Sequence, residues 1–308
     1  MIVNGKILVG DDIMTTHHHY YTQAEKEDIL NMYSQGCSSL QIAEKYHKAA
    51  STIANNLKRW GAPMRSNAVN SKKYTCNENF FECIDSEEKA YWLGFLYADG
   101  YVSGTGNYNC GLVGCSLSSK DRTHLEKMLE SFDSNYPIHD YKVSSGYKPG
   151  TGYSRVVMRS SKLYDDAVAQ GIVEHKTPII QPPNIPKEYS AAFIRGYFDG
   201  DGSVTIFRRK HWDRQRRAFA IKILGTVELL DYIKDFLTEN HVAKIRKYRE
   251  RHSGDTVKTL EFSGNQQVKH FLDLIYGDNP SVYLNRKFRR YQFLCYYLNS
   301  RVTSKGVA

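Results

Sequence analysis

Apolar residues recur at helical spacing in three short segments that follow one another closely near the start of the chain. Thr22 with Glu25 and Ser38 with Gln41 stand before the first two segments, and such pairs satisfy the free amides of a first helical turn. The expected inward-facing residues are Ile29, Leu30 and Tyr33 in the first helix, Leu40, Ala43 and Tyr46 in the second, and Ile53, Leu57 and Trp60 in the third. The pattern predicts a three-helix domain at residues 22–64.

The third of these helices, STIANNLKRW, has a polar face opposite its apolar stripe. That face carries Thr52, Asn55, Asn56 and Arg59, whose side chains suit base edges and phosphates. The three helices resemble the helix-turn-helix modules of invertases and many small DNA-binding domains, and this resemblance implies that the third helix contacts DNA. A three-helix scaffold without DNA contact is the alternative.

A second pattern fills most of the remaining chain and occurs twice. Each copy begins with an apolar helix that ends in Asp-Gly, continues into alternating strand segments and a helix, and then repeats the strands before a closing helix. The aspartates Asp99 and Asp201, which end the first helix of each copy, lie 102 residues apart. The pattern therefore predicts an internal repeat of two pseudo-symmetric αββαββα half-domains, in the α+β class.

These patterns divide the chain into segments. A leader takes residues 1–21, and a linker without sustained periodicity takes residues 65–84. The two half-domains are expected at 85–186 and 187–300, and a short tail at 301–308.

The chain contains more basic than acidic residues, 42 Lys and Arg against 33 Asp and Glu. Hydrophobic residues make up 41% and charged residues 24% of the 308 residues, and the formal net charge of +9 favours a polyanionic partner, nucleic acid before acidic membrane. No apolar run reaches the roughly 18 residues that a membrane span needs, and the first residues do not read as a secretory signal. The six cysteines have no paired CxxC spacing and are interpreted as reduced thiols in a cytosolic protein. The run from His17 to His19 is interpreted as solvated linker rather than a metal site.

The first helix of each repeat carries small residues one turn apart. These are Gly94 and Ala98 in the first copy and Gly196 and Gly200 in the second. Because small residues at i and i+4 share one helix face and let another backbone approach closely, the two helices are expected to pack side by side.

Such packing would bring Asp99 and Asp201 together at two adjacent helix ends, each followed by a glycine expected in left-handed geometry. Helix C-termini carry partial negative charge and close carboxylates repel, so the arrangement is unfavourable unless a cation is bound. Mg²⁺ binds through one or two carboxylates together with waters and phosphates. The pattern thus predicts a site for Mg²⁺, or alternatively Mn²⁺, suited to hydrolysis of a phosphodiester. The competing interpretation is that each Asp-Gly is only a turn after a helix.

The stretches WLGFLYADG and IRGYFDGDG resemble the two signature helices of single-chain LAGLIDADG homing endonucleases, and the resemblance covers roughly residues 85–300. In that family the eighth motif position holds the metal-binding acid, which falls here on Asp99 and Asp201. The metal-site residues expected in this chain are Asp99, Asp201, Gly100 and Gly202. The sixth position is Tyr97 in one copy and Asp199 in the other, so Asp199 is interpreted as a structural or peripheral group rather than a catalytic one.

The family also places a basic residue near the scissile phosphates, late in each half. Lys176 follows Asp99 by 77 residues, and Lys287 follows Asp201 by 86 residues. The resemblance implies that either lysine polarises the attacking water or stabilises charge on the phosphate. Solvated surface charges are the alternative.

Basic residues concentrate in the strand segments of the second half. The candidate DNA contacts are Arg208, Arg209, Lys210, Arg214, Arg216 and Arg217 in one hairpin, and Lys247, Arg249 and Arg251 in the next. Strand ribbons in the major groove read base edges while cations meet phosphates. The first half is less charged, which suits a long asymmetric target. A solvated face is the alternative.

The leading hypothesis is a monomeric, metal-dependent, site-specific DNA endonuclease that cuts both strands. The resemblance implies a mobile-element origin. Since splice-junction residues of an intein are not apparent, the expectation is an intron-encoded or stand-alone enzyme in the cytoplasm of a bacterium, encoded there or by a phage, with an organellar origin as the alternative. A DNA-binding transcriptional regulator and an RNA maturase on the same fold are the other hypotheses.

Overall fold

The computed structural model describes residues 2–3, 6–7, 21–64, 73–104, 110–142, 150–211, 214–245, 248–250, 254–277 and 279–303. For residues 2–3, 6–7, 209–211, 214–216 and 301–303 it describes the backbone only. The run His17 to His19 lies outside these residues. The chain divides into two compact units, Met1–Lys73 and Tyr74–Ala308. In the described part of the chain, no helix is long and apolar enough to cross a membrane.

The first unit contains a two-stranded ribbon and three helices. Its elements are β1 (Ile2–Val3), β2 (Lys6–Ile7), α1 (Gln23–Ser34), α2 (Ser39–Tyr46) and α3 (Ala50–Arg59). Both expected capping boxes are present: Thr22 and Glu25 bond reciprocally before α1, and Ser38 and Gln41 do so before α2. Helix formation therefore starts where the capping pairs predicted it.

The core of this unit differs from the prediction at one position. Leu40 was expected to face inward, but it is 60% exposed, and the neighbouring Ile42 is fully buried together with Ala43. A helix of two turns has room for one inward stripe. The stripe that contains Ile42 packs with Ile53 and Leu57 of α3 and leaves Leu40 on the outer face.

The second unit begins with the first predicted repeat. Its elements are α4 (Glu87–Asp99), β3 (Gly100–Ser103), β4 (Leu112–Ser118), a 3₁₀ turn (Ser119–Asp121), α5 (Arg122–Ser131), β5 (His139–Lys142), β6 (Gly152–Arg159) and α6 (Ser161–Ala169). The four strands form one antiparallel sheet in the order β3-β4-β6-β5. This is the predicted αββαββα order.

The second repeat keeps the same order with two changes. Its elements are a 3₁₀ turn (Lys187–Tyr189), α7 (Ser190–Asp201), β7 (Gly202–His211), β8 (Arg214–Gly225), α8 (Val227–Glu239), β9 (Lys258–Ser263), α9 (Asn265–Tyr276) and α10 (Asn285–Thr303). Among the described residues the sheet has the order β7-β8-β9, and the expected fourth strand is reduced to a bridge between Arg249 and Thr259. The long helix α10 was not predicted.

Each sheet has one face packed on helices and one open face. In the second sheet Ile221 and Ile223 are buried, whereas Lys222, between them on β8, lies on the open face. In the first sheet Cys115 is buried, and Ser116 is exposed on the open face. The helices on the inner faces, together with these sheets, confirm the predicted α+β class.

Candidate active site

Helices α4 and α7 approach so closely that their backbones touch at glycine. A methyl group added at Gly94 would overlap the carbonyl oxygen of Phe193, and one added at Gly196 would overlap the carbonyl oxygen of Tyr91. One turn further on, a methyl group at Gly200 would overlap the side chain of Ala98. Side chains larger than these would separate the two helices, so the small residues set the distance between the half-domains.

The two helices end in the predicted acids. Asp99 is the last residue of α4 and Asp201 the last residue of α7. A Cβ placed on Gly200 would lie 3.4 Å from a carboxylate oxygen of Asp99, so this carboxylate is directed towards the end of the other helix. The geometry thus brings one acid from each half-domain to the same end of the helix pair.

The expected left-handed geometry of the following glycines is wrong. Gly100 has φ −82° and Gly202 has φ −88°, both in the extended region. At both glycines the chain passes directly from helix to strand. A Cβ at Gly100 would lie 2.7 Å from the carbonyl oxygen of Leu96, and one at Gly202 would lie 2.5 Å from that of Phe198, so glycine is needed for space rather than for positive φ.

Burial destabilises both ionised acids, and at Asp201 repulsion by Asp99 adds to it. Burial, and next the neighbouring Asp99 carboxylate, raise the pKa of Asp201 to about 6. Burial also raises the pKa of Asp99, against the opposing influence of nearby basic side chains. Two partly buried carboxylates at the negative ends of two helices form a site that favours a cation.

Two buried lysines provide positive charge beside the acids. Lys176 donates from Nζ to the carbonyl oxygen of Gly100, and Lys287 donates to that of Gly202 at 2.6 Å. Lys287 also donates to the carbonyl oxygens of Phe198 and, at 3.1 Å, of Gly200. The lysines thus occupy corresponding places in the two repeats and satisfy carbonyls at the ends of the signature helices.

Burial lowers the pKa of both lysines. For Lys287 the pKa falls to about 8, with the charge of Asp199 the strongest influence in the opposite direction. For Lys176 the opposing charges are those of Asp201 and then Asp99. Both ammonium groups therefore lie within the electrostatic reach of the paired acids. The Gly100 and Gly202 carbonyls accept hydrogen bonds from these two lysines. The metal-binding role expected for the two glycines stays a prediction.

Asp199, at the sixth motif position, lies fully buried in a hydrogen-bond network. It accepts from Tyr91 at 2.8 Å, from Tyr276 at 2.6 Å and from the amide of Leu284 at 2.8 Å. Tyr91 also lies 2.9 Å from Nε2 of His124. The single phenolic proton of Tyr91 is donated to Asp199. The contact with His124 is therefore a hydrogen bond in which Nε2 of His124 donates to the phenol oxygen of Tyr91. Burial lowers the pKa of His124 to about 3, which keeps the ring neutral.

The expected metal fits the donor set of this site. Among the described residues, no group of three or more His, Cys, Asp or Glu side chains surrounds a common point. Two carboxylates are nevertheless sufficient for Mg²⁺, which keeps several waters and takes further oxygens from a phosphate. Asp99 and Asp201 would hold such an ion.

A protein-family model matches part of the second half-domain. Residues 188–276 match the model of the LAGLIDADG-like domain. This match covers most of the second half-domain. The match begins just before α7 and ends with α9, so it contains Asp201 and leaves out α10. No curated protein matches the chain.

Solved structures similar to the chain include a LAGLIDADG meganuclease and two LAGLIDADG homing endonucleases. I-AabMI bound to uncleaved DNA has 13% identity and a TM-score of 0.48, and the match covers 70% of this chain and 91% of that chain. I-GzeII in complex with its DNA target has 10% identity and a TM-score of 0.48, with 71% and 92% covered. I-SmaMI bound to cleaved DNA has 11% identity and a TM-score of 0.44, with 72% and 92% covered.

The basic hairpin of the second half-domain is only partly described. Arg208 and Arg217 pair across β7 and β8, and the guanidinium of Arg217 lies 4.9 Å from the ring centre of Phe293 in α10, on the inner side of the sheet. Arg249 forms an ion pair with Glu261 at 3.1 Å. Outside the described side chains are Arg209, Lys210, Arg214, Arg216, Lys247 and Arg251.

The open face of the same sheet carries a charged residue that the sequence analysis missed. Lys222 lies 3.7 Å from Glu261, which links it to Arg249 across the strands. In the first half-domain the open face holds Tyr101 and Arg155, joined by a hydrogen bond of 2.6 Å. Strict alternation along β3, β6 and β8 would have found these residues, because their neighbours in sequence are buried.

The predicted DNA-contacting face of α3 is partly open. Asn55 and Arg59 are exposed, whereas Asn56 is half-buried and donates to the carbonyl oxygen of Thr52 at 2.9 Å. The side chains of Asn55 and Arg59 are thus available on the surface of the first unit. Their contact with DNA stays a prediction.

The raised pKa of Asp201 predicts a pH-dependent stability. This carboxyl binds its proton more tightly in the folded than in the unfolded chain, so its stabilising contribution is complete below pH 3.8 and is lost as the pH rises through about 6. The stability lost in this way is roughly 3 kcal/mol. We expect the metal-free protein to lose thermal stability between pH 4 and pH 6 more steeply than its Asp201→Asn variant. Melting curves in EDTA measure this, and parallel curves would contradict it.

Proposed function

We propose that the protein is a site-specific DNA endonuclease that hydrolyses both strands at a centre formed by Asp99, Asp201, Lys176 and Lys287. The observation that carries the proposal is the pairing of the two acids. One half-buried acid from each half-domain reaches the same end of a helix pair whose backbones touch, and each has a buried lysine on the adjoining carbonyl. A turn after a helix needs neither the burial nor the lysines.

The residues have separable roles in this proposal. Asp99 and Asp201 hold Mg²⁺ or Mn²⁺, which, when bound, offsets the negative charge of the scissile phosphates and lowers the pKa of water. Lys176 and Lys287 are held by backbone carbonyls, so their ammonium groups need little rearrangement when charge develops on a phosphate oxygen. The lowered pKa of Lys287, about 8, also suits it to exchange a proton with the attacking water near neutral pH.

DNA would lie across the open faces of the two sheets. The first face offers Tyr101 and Arg155, and the second offers Lys222 and Arg249. Because the two faces differ in residue type, each would read a different half-site, and the target would be long and asymmetric. Both halves of the centre belong to one chain, so a monomer suffices. The first unit would lengthen the footprint through α3.

The proposal is tested by cleavage of a randomised double-stranded DNA library with Mg²⁺, with Mn²⁺ and with EDTA. Sequencing of the cut ends should give one long sequence whose cleavage disappears in EDTA. Selective retention of one sequence without metal-dependent cutting would overturn the endonuclease and support a DNA-binding regulator. Selective binding of structured RNA, again without cutting of DNA, would support a maturase.

A further inference from the structure

Asp199 distinguishes the second half of the centre from the first. It follows Tyr97 by 102 residues, the repeat length, and thus holds the equivalent position in α7. Tyr97 donates to the carbonyl oxygen of Gln170 at 2.6 Å, whereas Asp199 accepts from two tyrosines and a backbone amide. Among the residues that the structure describes, the network around Asp199 has no counterpart at Tyr97.

The network leads directly to Lys287. Asp199 accepts from the amide of Leu284, and the carbonyl oxygen of Leu284 accepts from the amides of Lys287 at 3.0 Å and Phe288 at 3.1 Å. Leu284 is therefore the residue from which the hydrogen bonds of α10 begin. A carboxylate that fixes Leu284 also fixes the first turn of α10, which carries Lys287.

Two further contacts hold this carboxylate itself. Tyr276, the last residue of α9, donates to one oxygen, and Tyr91 of α4 donates to the other. Asp199 thus ties the end of one helix and the start of the next to the first half-domain. Each oxygen is constrained from outside α7, so the position of Leu284 is determined by three elements.

Lys176 is supported by fewer contacts. Its Nζ donates to the carbonyl oxygen of Gly100, the one acceptor found for it among the described residues, whereas Lys287 donates to three carbonyls. Lys176 also lies outside the regular helices, where its carbonyl accepts from Ile179 at 2.9 Å. The two lysines therefore differ in how rigidly they are held.

We propose that Asp199 is a positioning residue for Lys287, and that this unequal support makes the enzyme cut the strand served by Lys287 before the strand served by Lys176. The inference rests on the proposed endonuclease function. Its physical basis is that a group held near its reactive position loses less free energy on reaching the transition state. The nicked duplex would then accumulate as an intermediate.

The test uses the selected target duplex with a different fluorophore on each strand, in single-turnover reactions of the full-length protein with Mg²⁺. Lys176→Met and Lys287→Met assign each strand to its lysine. In the unmodified protein the Lys287 strand should be cut several-fold faster. Asp199→Asn should slow that strand by about 10- to 100-fold, since a displacement of about 1 Å can cost this much, and should leave the other strand within about threefold.

Tyr97→Phe is the matched control, since it removes the polar group at the equivalent position, and both of its strand rates should stay unchanged. Should Asp199→Asn fail to fold, Tyr276→Phe removes one donor to the carboxylate and should show the same strand bias at smaller size. Equal slowing of both strands would assign Asp199 a general structural role and overturn the inference. Equal strand rates in the unmodified protein would also overturn it. Absence of any cutting by the unmodified protein would instead refute the endonuclease itself.

Discussion

Asparagine at both Asp99 and Asp201 is expected to reduce DNA cleavage by at least about 10³-fold while the protein still binds its target. The two carboxylates are the acidic groups that meet at the end of the helix pair, and losing both removes the negative charge that would hold a divalent cation. Knockouts within a catalytic group commonly cost about 10⁴-fold or more. Single-turnover cleavage and a gel-shift measurement of affinity in Ca²⁺ or EDTA separate the two effects.

The control variant has the same change in net charge, made at two positions outside the proposed centre. Asp165→Asn combined with Asp235→Asn neutralises two exposed aspartates, one on α6 and one on α8. This variant should cleave at a rate within about twofold of the unmodified protein, as is usual for exposed positions. Retained cleavage by the Asp99→Asn/Asp201→Asn variant would remove these acids from the proposed centre, whatever its affinity for DNA.

Alanine at Gly94 or Gly196 is expected to destabilise the second unit by more than about 3 kcal/mol. Each added methyl group would overlap a backbone carbonyl of the facing helix, Phe193 or Tyr91, and a backbone cannot rotate away as a side chain can. Overpacking usually costs about 1–3 kcal/mol, and a rigid neighbour places these sites at or above that range. Alanine would otherwise favour the helix by up to about 1 kcal/mol. Urea unfolding followed by circular dichroism measures the difference.

Gly200 offers a compensation test of the same interface. Its added methyl group would overlap a side chain, that of Ala98, rather than a backbone atom. The single change Gly200→Ala should therefore destabilise the protein, and the double change Ala98→Gly/Gly200→Ala should recover most of the loss because it returns one methyl group to the contact. Additive effects of the two changes would show that the helices do not pack through these positions.

Local patterns were sufficient to predict much of the fold. The capping pairs at Thr22 and Ser38 and the repeated apolar helices are signals carried within a few residues, and the structure has these elements. Helix α10 escaped prediction because its segment mixes half-buried and exposed aromatic residues without a clean stripe. Leu40 was placed wrongly because two apolar stripes compete in a short helix, and only the packing of α1 and α3 decides between them.

Less of the site than of the fold could be predicted from the sequence. The repeat aligned Asp99 with Asp201 because each acid sits in a recognisable motif. The partners of Asp199 could not be found in this way, since Tyr91, Tyr276 and Leu284 come from distant segments and meet only after both half-domains have folded. Likewise, the sequence indicated two lysines but not that each would bond to the glycine carbonyl beside its acid.

The hydrogen bond from Tyr91 to Asp199 crosses from one half-domain to the other, close to the glycines where the backbones touch. Each half therefore contains a polar group whose partner is in the other half. Exchange of one half for that of a related protein would remove the hydrogen bond across the interface from a buried phenol or a buried carboxylate, although each keeps contacts within its own half. A functional chimera would therefore need to keep this pair and the glycine face matched between its two halves.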